Sequence, residues 1–93
     1  MTIQVVNKHT IERLMPSDVY IGRPGPYGNP FVIGPDRSRA QAIDEYRDWI
    51  AARPEIVTQL ALEQPKRLVC YCAPQPCHGD VLAELLLEQE DLA

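Results

Sequence analysis

Residues 68–87 read LVCYCAPQPCHGDVLAELLL, from Leu68 to Leu87. Leu68 to Cys72 is a strand whose residues are apolar or small on both faces, as in a strand at the centre of a parallel sheet. Ala73-Pro74-Gln75-Pro76 cannot be helical, because its two prolines lack N–H donors and bias their predecessors to extended backbone. A helix then begins near Cys77. Val81, Leu82, Leu85 and Leu86 form one apolar face, with Glu84 and Glu88 outside it. A strand, a tight loop and a helix in succession are the mark of an α/β fold.

Upstream, Ile3 to Val6 reads as a short strand and Val19-Tyr20-Ile21 as a second, β-branched and aromatic. The second runs into Gly22-Arg23-Pro24-Gly25-Pro26-Tyr27-Gly28-Asn29-Pro30, a dense loop signal. Phe31-Val32-Ile33 reads as a brief extended segment, and Gly34-Pro35-Asp36 as a turn. Ser38 and Gln41 fit a capping box, S-x-x-Q, opening a helix with Ala42, Ile43, Tyr46, Trp49 and Ile50 as its buried stripe. Pro54 suits the first position of another helix running to Leu62, and Pro65 stops it. The order is roughly β-β-α-α-β-α. The expected fold is α/β: a small single domain over residues 1–93, Rossmann-like, with a largely parallel sheet flanked by helices.

The composition, 45% apolar and 24% charged, is that of a globular chain. No apolar run is long enough to span a bilayer, and the start of the chain lacks the basic-then-apolar pattern of a secretory leader. Three cysteines, an odd number confined to positions 70–77, do not form a secreted disulfide scaffold. A Cys70–Cys72 bridge would have to close Cα atoms roughly 6.6 Å apart along a strand, near the upper limit for a disulfide. Reduced thiols and a cytoplasmic location are expected. The net charge is −4, but no Lys or Arg follows Arg67, so residues 1–67 carry nine basic and eight acidic groups. That balance argues against general duplex-DNA binding and leaves room for a small anionic ligand held by local groups.

Cys70, Cys72, Cys77 and His78 place four soft or borderline metal ligands within nine residues. One account buries Cys70 and Cys72 as small core residues. A second makes the four a structural zinc site, a Cys3His set, although the adjacent Cys77 and His78 point poorly at one ion. A third makes Cys77 and His78 catalytic or ligand-binding. They sit where a strand gives way to a helix N-terminus, the place where α/β folds bind ligands and where free N–H groups attract anions and lower a thiol pKa. On that account Gly79 lets a ligand approach the backbone. Gly22 and Gly28 let the long loop cradle a phosphate, Arg23 pairs with it, and Asn29 reads a base edge or hydroxyl. Arg39 and Arg47 lie within roughly 80° of each other around a helix axis.

Val19-Tyr20-Ile21-Gly22-Arg23, Tyr27-Gly28-Asn29-Pro30-Phe31-Val32-Ile33-Gly34, Tyr46-Arg47-x-Trp49 and the run from Leu68 to Leu82 together resemble a family of small bacterial and phage proteins, domain of unknown function 4326. The resemblance covers nearly the whole chain. It implies a gene often carried by phages and no particular mechanism. More loosely, the turn is similar to a Cys…Cys-His-Arg run of another family. Gly79 stands where that Arg would be, so a phosphate-holding role falls to Arg23 or Arg47.

The function expected from these residues is a nucleotide- or phosphate-type ligand site, catalytic through Cys77 and His78, with Gly22, Arg23, Gly28, Asn29, Arg47 and Gly79 holding the ligand. Two alternatives stand beside it. One is a zinc-stabilised domain without catalysis. The other is a phage accessory protein that binds a host protein.

Overall fold

The computed structural model describes residues 3–73 and 75–92, with the side chains of residues 90–92 left aside. Pro74 of the non-helical loop, and the side chains of Glu90 and Asp91, lie outside that description.

The chain forms β1 (Gln4–Asn7), β2 (Asp18–Tyr20), α1 (Arg39–Ala51), α2 (Pro54–Leu62), β3 (Arg67–Cys70) and α3 (His78–Leu92). The sheet has three strands in the order β1-β3-β2, both pairings parallel. The strand expected at the centre is there, and Leu68, Val69 and Cys70 are all buried, as a strand covered on both faces requires. It is shorter than expected. Tyr71 and Cys72 already bend, because the Cys72 N–H donates to Cys70 Sγ at 3.4 Å instead of continuing a ladder. The registers Val5↔Leu68, Asn7↔Cys70 and Val19↔Leu68 put these residues on one face.

The capping box is present with both reciprocal bonds, 3.1 Å from Gln41 N to Ser38 Oγ and 2.8 Å from Ser38 N to Gln41 Oε1. Ala42, Tyr46 and Ile50 are buried along α1, and Pro54 opens α2. Phe31 is a bend, Val32 and Ile33 belong to no ladder, and a single antiparallel bridge, Gly34 to Arg37, follows. α3 packs on β1 and β3, and α1 and α2 pack against α3. Between them Tyr46, Ile50, Leu60, Leu68, Val81 and Leu82 form an apolar cluster with Ile21, Cys70 and Cys77. No helix among the described residues is long and apolar enough to cross a membrane.

Candidate ligand-binding site

A cavity of about 340 Å³ opens beyond the C-terminal ends of β2 and β3. In a parallel sheet the loops leaving that edge diverge to the helices, and the crevice between them is where ligands bind. Tyr20, Gly22 and Arg23 line it from the end of β2, and Cys70, Tyr71 and Cys72 from the end of β3. Pro76, Cys77 and His78 come from the start of α3, Arg39, Ala42 and Ile43 from the start of α1, and Asn29, Phe31, Val32 and Ile33 from the loop between. The two segments singled out in the sequence thus share one cavity, although more than forty residues separate them.

Arg23 and Arg39 both line the cavity, and neither pairs with a carboxylate among the described residues. Among the described residues Arg39 donates only to the Pro76 carbonyl, at 3.1 Å. Arg47 lies elsewhere: its guanidinium holds Glu84 at 2.8 Å on the exposed seam between α1 and α3. The capping box of α1 sets Arg39 in the first helical turn, at the same end of the sheet as the Gly22–Pro30 loop. Arg39 was legible only as a helix-face residue, because its approach to Pro76 is made between segments far apart in the chain.

The glycines serve packing more than ligand approach. A Cβ on Gly28 would stand 2.9 Å from Arg23 Cγ and 3.0 Å from its backbone nitrogen, so Gly28 backs the Arg23 backbone and does not line the cavity. Gly22 lies under the Tyr20 ring, whose hydroxyl donates to the Arg23 carbonyl at 3.2 Å. Gly79 faces the sheet. Asn29 is committed to its own loop: Oδ1 accepts from Phe31 N at 2.8 Å, and Nδ2 donates to the Ala42 carbonyl at 3.2 Å. Its side chain shapes the cavity wall and ties the loop to α1.

The start of α3 satisfies its own donors. Cys77 N donates to Asp80 Oδ2 at 3.1 Å, Gly79 N to Cys77 Sγ at 3.3 Å, and Asp80 N to the Cys77 carbonyl at 3.0 Å. The expected anion cradle of free N–H groups is therefore largely filled by Asp80 and Cys77. His78 is buried, with Nε2 2.7 Å from the Ile21 carbonyl and its ring edge-on to Tyr46 at 5.0 Å. A carbonyl only accepts, so Nε2 carries the proton. Burial holds the His78 pKa below its usual value, in keeping with a neutral ring.

The cysteines are arranged as no spacing rule shows. Cys77 Sγ lies 3.6 Å from Cys70 Sγ, both side chains are buried, and all three cysteines are free thiols. The pair shares a hydrogen bond, which favours a thiolate on one sulfur and a thiol on the other. Cys70 has the lower pKa of the two, although its sulfur also lies 3.5 Å from the Val6 carbonyl, a contact that favours the thiol. The Cys77 S–H donates to Cys70, and although burial opposes, the N–H groups of Ala73 and Cys72 add further stabilisation, bringing its pKa down to about 6. Cys77 moves the other way, first because its proton is held in the bond to Cys70, then because it is buried. Helix position alone points instead to Cys77 as the more acidic thiol. The loop brings the end of β3 and the start of α3 back to back, and the N–H groups of Cys72 and Ala73 converge as donors on Cys70.

The zinc set does not converge. His78 is turned onto Ile21, and among the described residues no three His, Cys, Asp or Glu side chains are grouped to hold a metal. At the rim, Tyr71 is half-exposed, with its ring 5.9 Å from Tyr20 and 5.0 Å from His9, and Lys8 Nζ lies 5.8 Å from the Tyr20 ring. Tyr20, Tyr71 and Phe31 were not singled out as site residues in the sequence. Their signal was their place at the C-terminal ends of strands and in the loop that leaves them.

Comparison with known proteins matches residues 5–88 to the family described as Domain of unknown function (DUF4326). The chain is also similar to the uncharacterized 12.4 kDa protein in the nrdA-td intergenic region of Enterobacteria phage T4, at 35% identity over 88 residues, spanning 89% of this chain and 76% of that protein. No solved structure matches the chain. The matched segment holds every residue that lines the cavity, and the chain belongs to the DUF4326 family, with a relative in a phage.

Proposed function

We propose that the cavity at the ends of β2 and β3 binds a small anionic ligand of nucleotide type. The observation that carries this is the pairing of Arg23 and Arg39 in one cavity of about 340 Å³, with no carboxylate partner for either among the described residues. An arginine beside a concave site without a counter-ion is a ready partner for phosphate, to which its planar fork can donate two bonds. The cavity falls within the size range of small-molecule sites. Tyr71 at the rim offers an exposed ring for a base, a contact worth about 1–3 kcal/mol. Asn29 and His78 support the walls. With Nε2 committed to Ile21, His78 is a positioning residue and not the proton carrier. The free thiols of the cavity fit a reducing, cytoplasmic setting.

Calorimetric titration of the full chain with nucleoside monophosphates, diphosphates and inorganic phosphate tests this. At least one nucleotide should bind measurably, and the matching nucleoside without phosphate should bind much more weakly. Arg23→Ala and Arg39→Ala should each weaken binding by about tenfold or more, the loss of one charge-assisted hydrogen bond. Arg47→Ala, outside the cavity, should leave it unchanged. Affinity indifferent to both cavity substitutions, or no binding across the panel, defeats the proposal.

A further inference from the structure

We propose that Cys70 and Cys77 form a thiol–disulfide exchange centre at the floor of the cavity, acting on small, carboxylate-bearing disulfides. Two sulfurs 3.6 Å apart, one at the end of β3 and one at the start of α3, need approach by only about 1.5 Å to reach bonding distance. Both line the cavity and are otherwise buried, so a small molecule approaches them from the cavity side. Cys72 is the odd thiol. It is half-buried, and its N–H is spent on Cys70 Sγ, which makes it part of the support for Cys70.

The chemistry balances on a disulfide RSSR as the oxidant. The Cys70 thiolate attacks one sulfur of RSSR, the S–S bond breaks, and RS⁻ leaves with Cys70 in a mixed disulfide. The Cys77 thiol gives its proton to the departing RS⁻. The Cys77 thiolate then attacks the Cys70 sulfur, expels the second RS⁻, which takes a proton from water, and closes the Cys70–Cys77 bond. Two thiols of the protein are oxidised and one disulfide is reduced to two RSH; the reverse sequence reduces the protein. Attack by a thiolate at neutral pH matches the lowered pKa of Cys70, and the high pKa of Cys77 suits a resolving thiol that is uncovered only after the first step. Arg23 and Arg39 favour a disulfide carrying carboxylates; that choice of substrate rests on the anionic-ligand proposal, whereas the exchange centre does not.

The test uses the full chain without nucleotide. Protein is equilibrated in mixtures of reduced and oxidised glutathione, quenched in acid, alkylated and mapped by mass spectrometry. A single Cys70–Cys77 disulfide should form reversibly, with Cys72 still open to alkylation. Cys77→Ser should accumulate a glutathione adduct on Cys70, while Cys70→Ser should form at least tenfold less adduct on Cys77. In wild-type protein a limiting dose of iodoacetamide should label Cys70 before Cys77, which keeps the assignment testable if either variant fails to fold. No Cys70–Cys77 disulfide across the whole range of mixtures, pairing through Cys72, or one zinc ion per chain that blocks oxidation would each overturn the exchange centre. Oxidised glutathione should react faster than the cationic disulfide cystamine. The reverse order would overturn the anionic substrate and, with the disulfide still closing, leave the exchange centre standing.

Discussion

His78 shows how much one side chain can hold. Its Nε2–H donates across the fold to Ile21, just past β2, while its ring rests on Tyr46 of α1 and its backbone starts α3. Three elements meet at one imidazole. The cost is that the ring must stay neutral. An unfolded chain takes up a proton on this residue near pH 6.5, whereas the folded protein resists it, because burial disfavours the charged form. The unfolded state therefore binds more protons as pH falls, so the stability from neutral His78 is present above about pH 6.5 and is lost on acidification toward the lower folded value. Urea unfolding between pH 5 and 8 should show the midpoint falling on the acid side. His78→Gln keeps a donor toward Ile21 without a titrating group, and should flatten the acid-side fall of the midpoint. An unchanged slope in His78→Gln would place the acid sensitivity elsewhere.

At the scale of elements, the contact between α3 and the sheet decides where the cavity floor lies. A Cβ on Gly79 would stand 2.8 Å from Ile21 Cδ1, 2.9 Å from Val5 Cγ1 and 3.2 Å from Cys77 Sγ. A glycine in the first turn of a helix normally costs about 1 kcal/mol against alanine, so Gly79→Ala would stabilise an open helix. Here the added methyl meets two side chains of the sheet and the sulfur, and such overpacking costs about 1–3 kcal/mol. We expect a net loss of stability for Gly79→Ala in denaturant unfolding, together with slower closure of the Cys70–Cys77 bond as α3 is pushed from β3. A gain in stability would mean that α3 can withdraw freely and that its seat on β1 and β3 is loose.

The whole molecule hangs on β3. It is paired on both sides, and the bonds continue past the strands, from Lys8 N to the Cys70 carbonyl at 2.8 Å and from Ile21 N to the Val69 carbonyl at 2.9 Å. At its start Arg67 grips Asp18 of β2 through two bonds, 2.7 Å from Nε and 2.6 Å from Nη2, and the guanidinium holds the Asp18 carboxyl below the usual carboxylate range. Opening β3 requires breaking both ladders and exposing Leu68 and Val69, so it should demand nearly the full unfolding energy. Hydrogen exchange followed by mass spectrometry should find the amides of 68–70 among the slowest, and those of the Arg23–Ile33 loop, with few backbone bonds, among the fastest. Equal exchange in the two segments would show that the sheet is not the stable part of the fold.

The order of elements, the central strand and the capped start of α1 were legible in the sequence because their causes are local. Continuous apolar runs, the Ser38–Gln41 reciprocity and the placement of Pro54 act over a few residues. The two ends of the site were legible for the same reason: glycines and prolines at 22–30 and the Pro76-Cys77-His78 turn both announce breaks at the ends of strands. Tertiary structure decided what these residues do. Arg39 entered the cavity and Arg47 left it because each arginine takes the partner that packing brings within reach, Pro76 for one and Glu84 for the other. Asn29 and His78 were committed to backbone carbonyls of Ala42 and Ile21, neither adjacent in the chain. Which of Cys70 and Cys77 is the more acidic thiol depends on a sulfur–sulfur contact and on which sulfur collects more N–H donors. Hydrogen bonds act over about 3 Å in space, and sequence spacing across a bent, proline-rich loop does not specify such a distance.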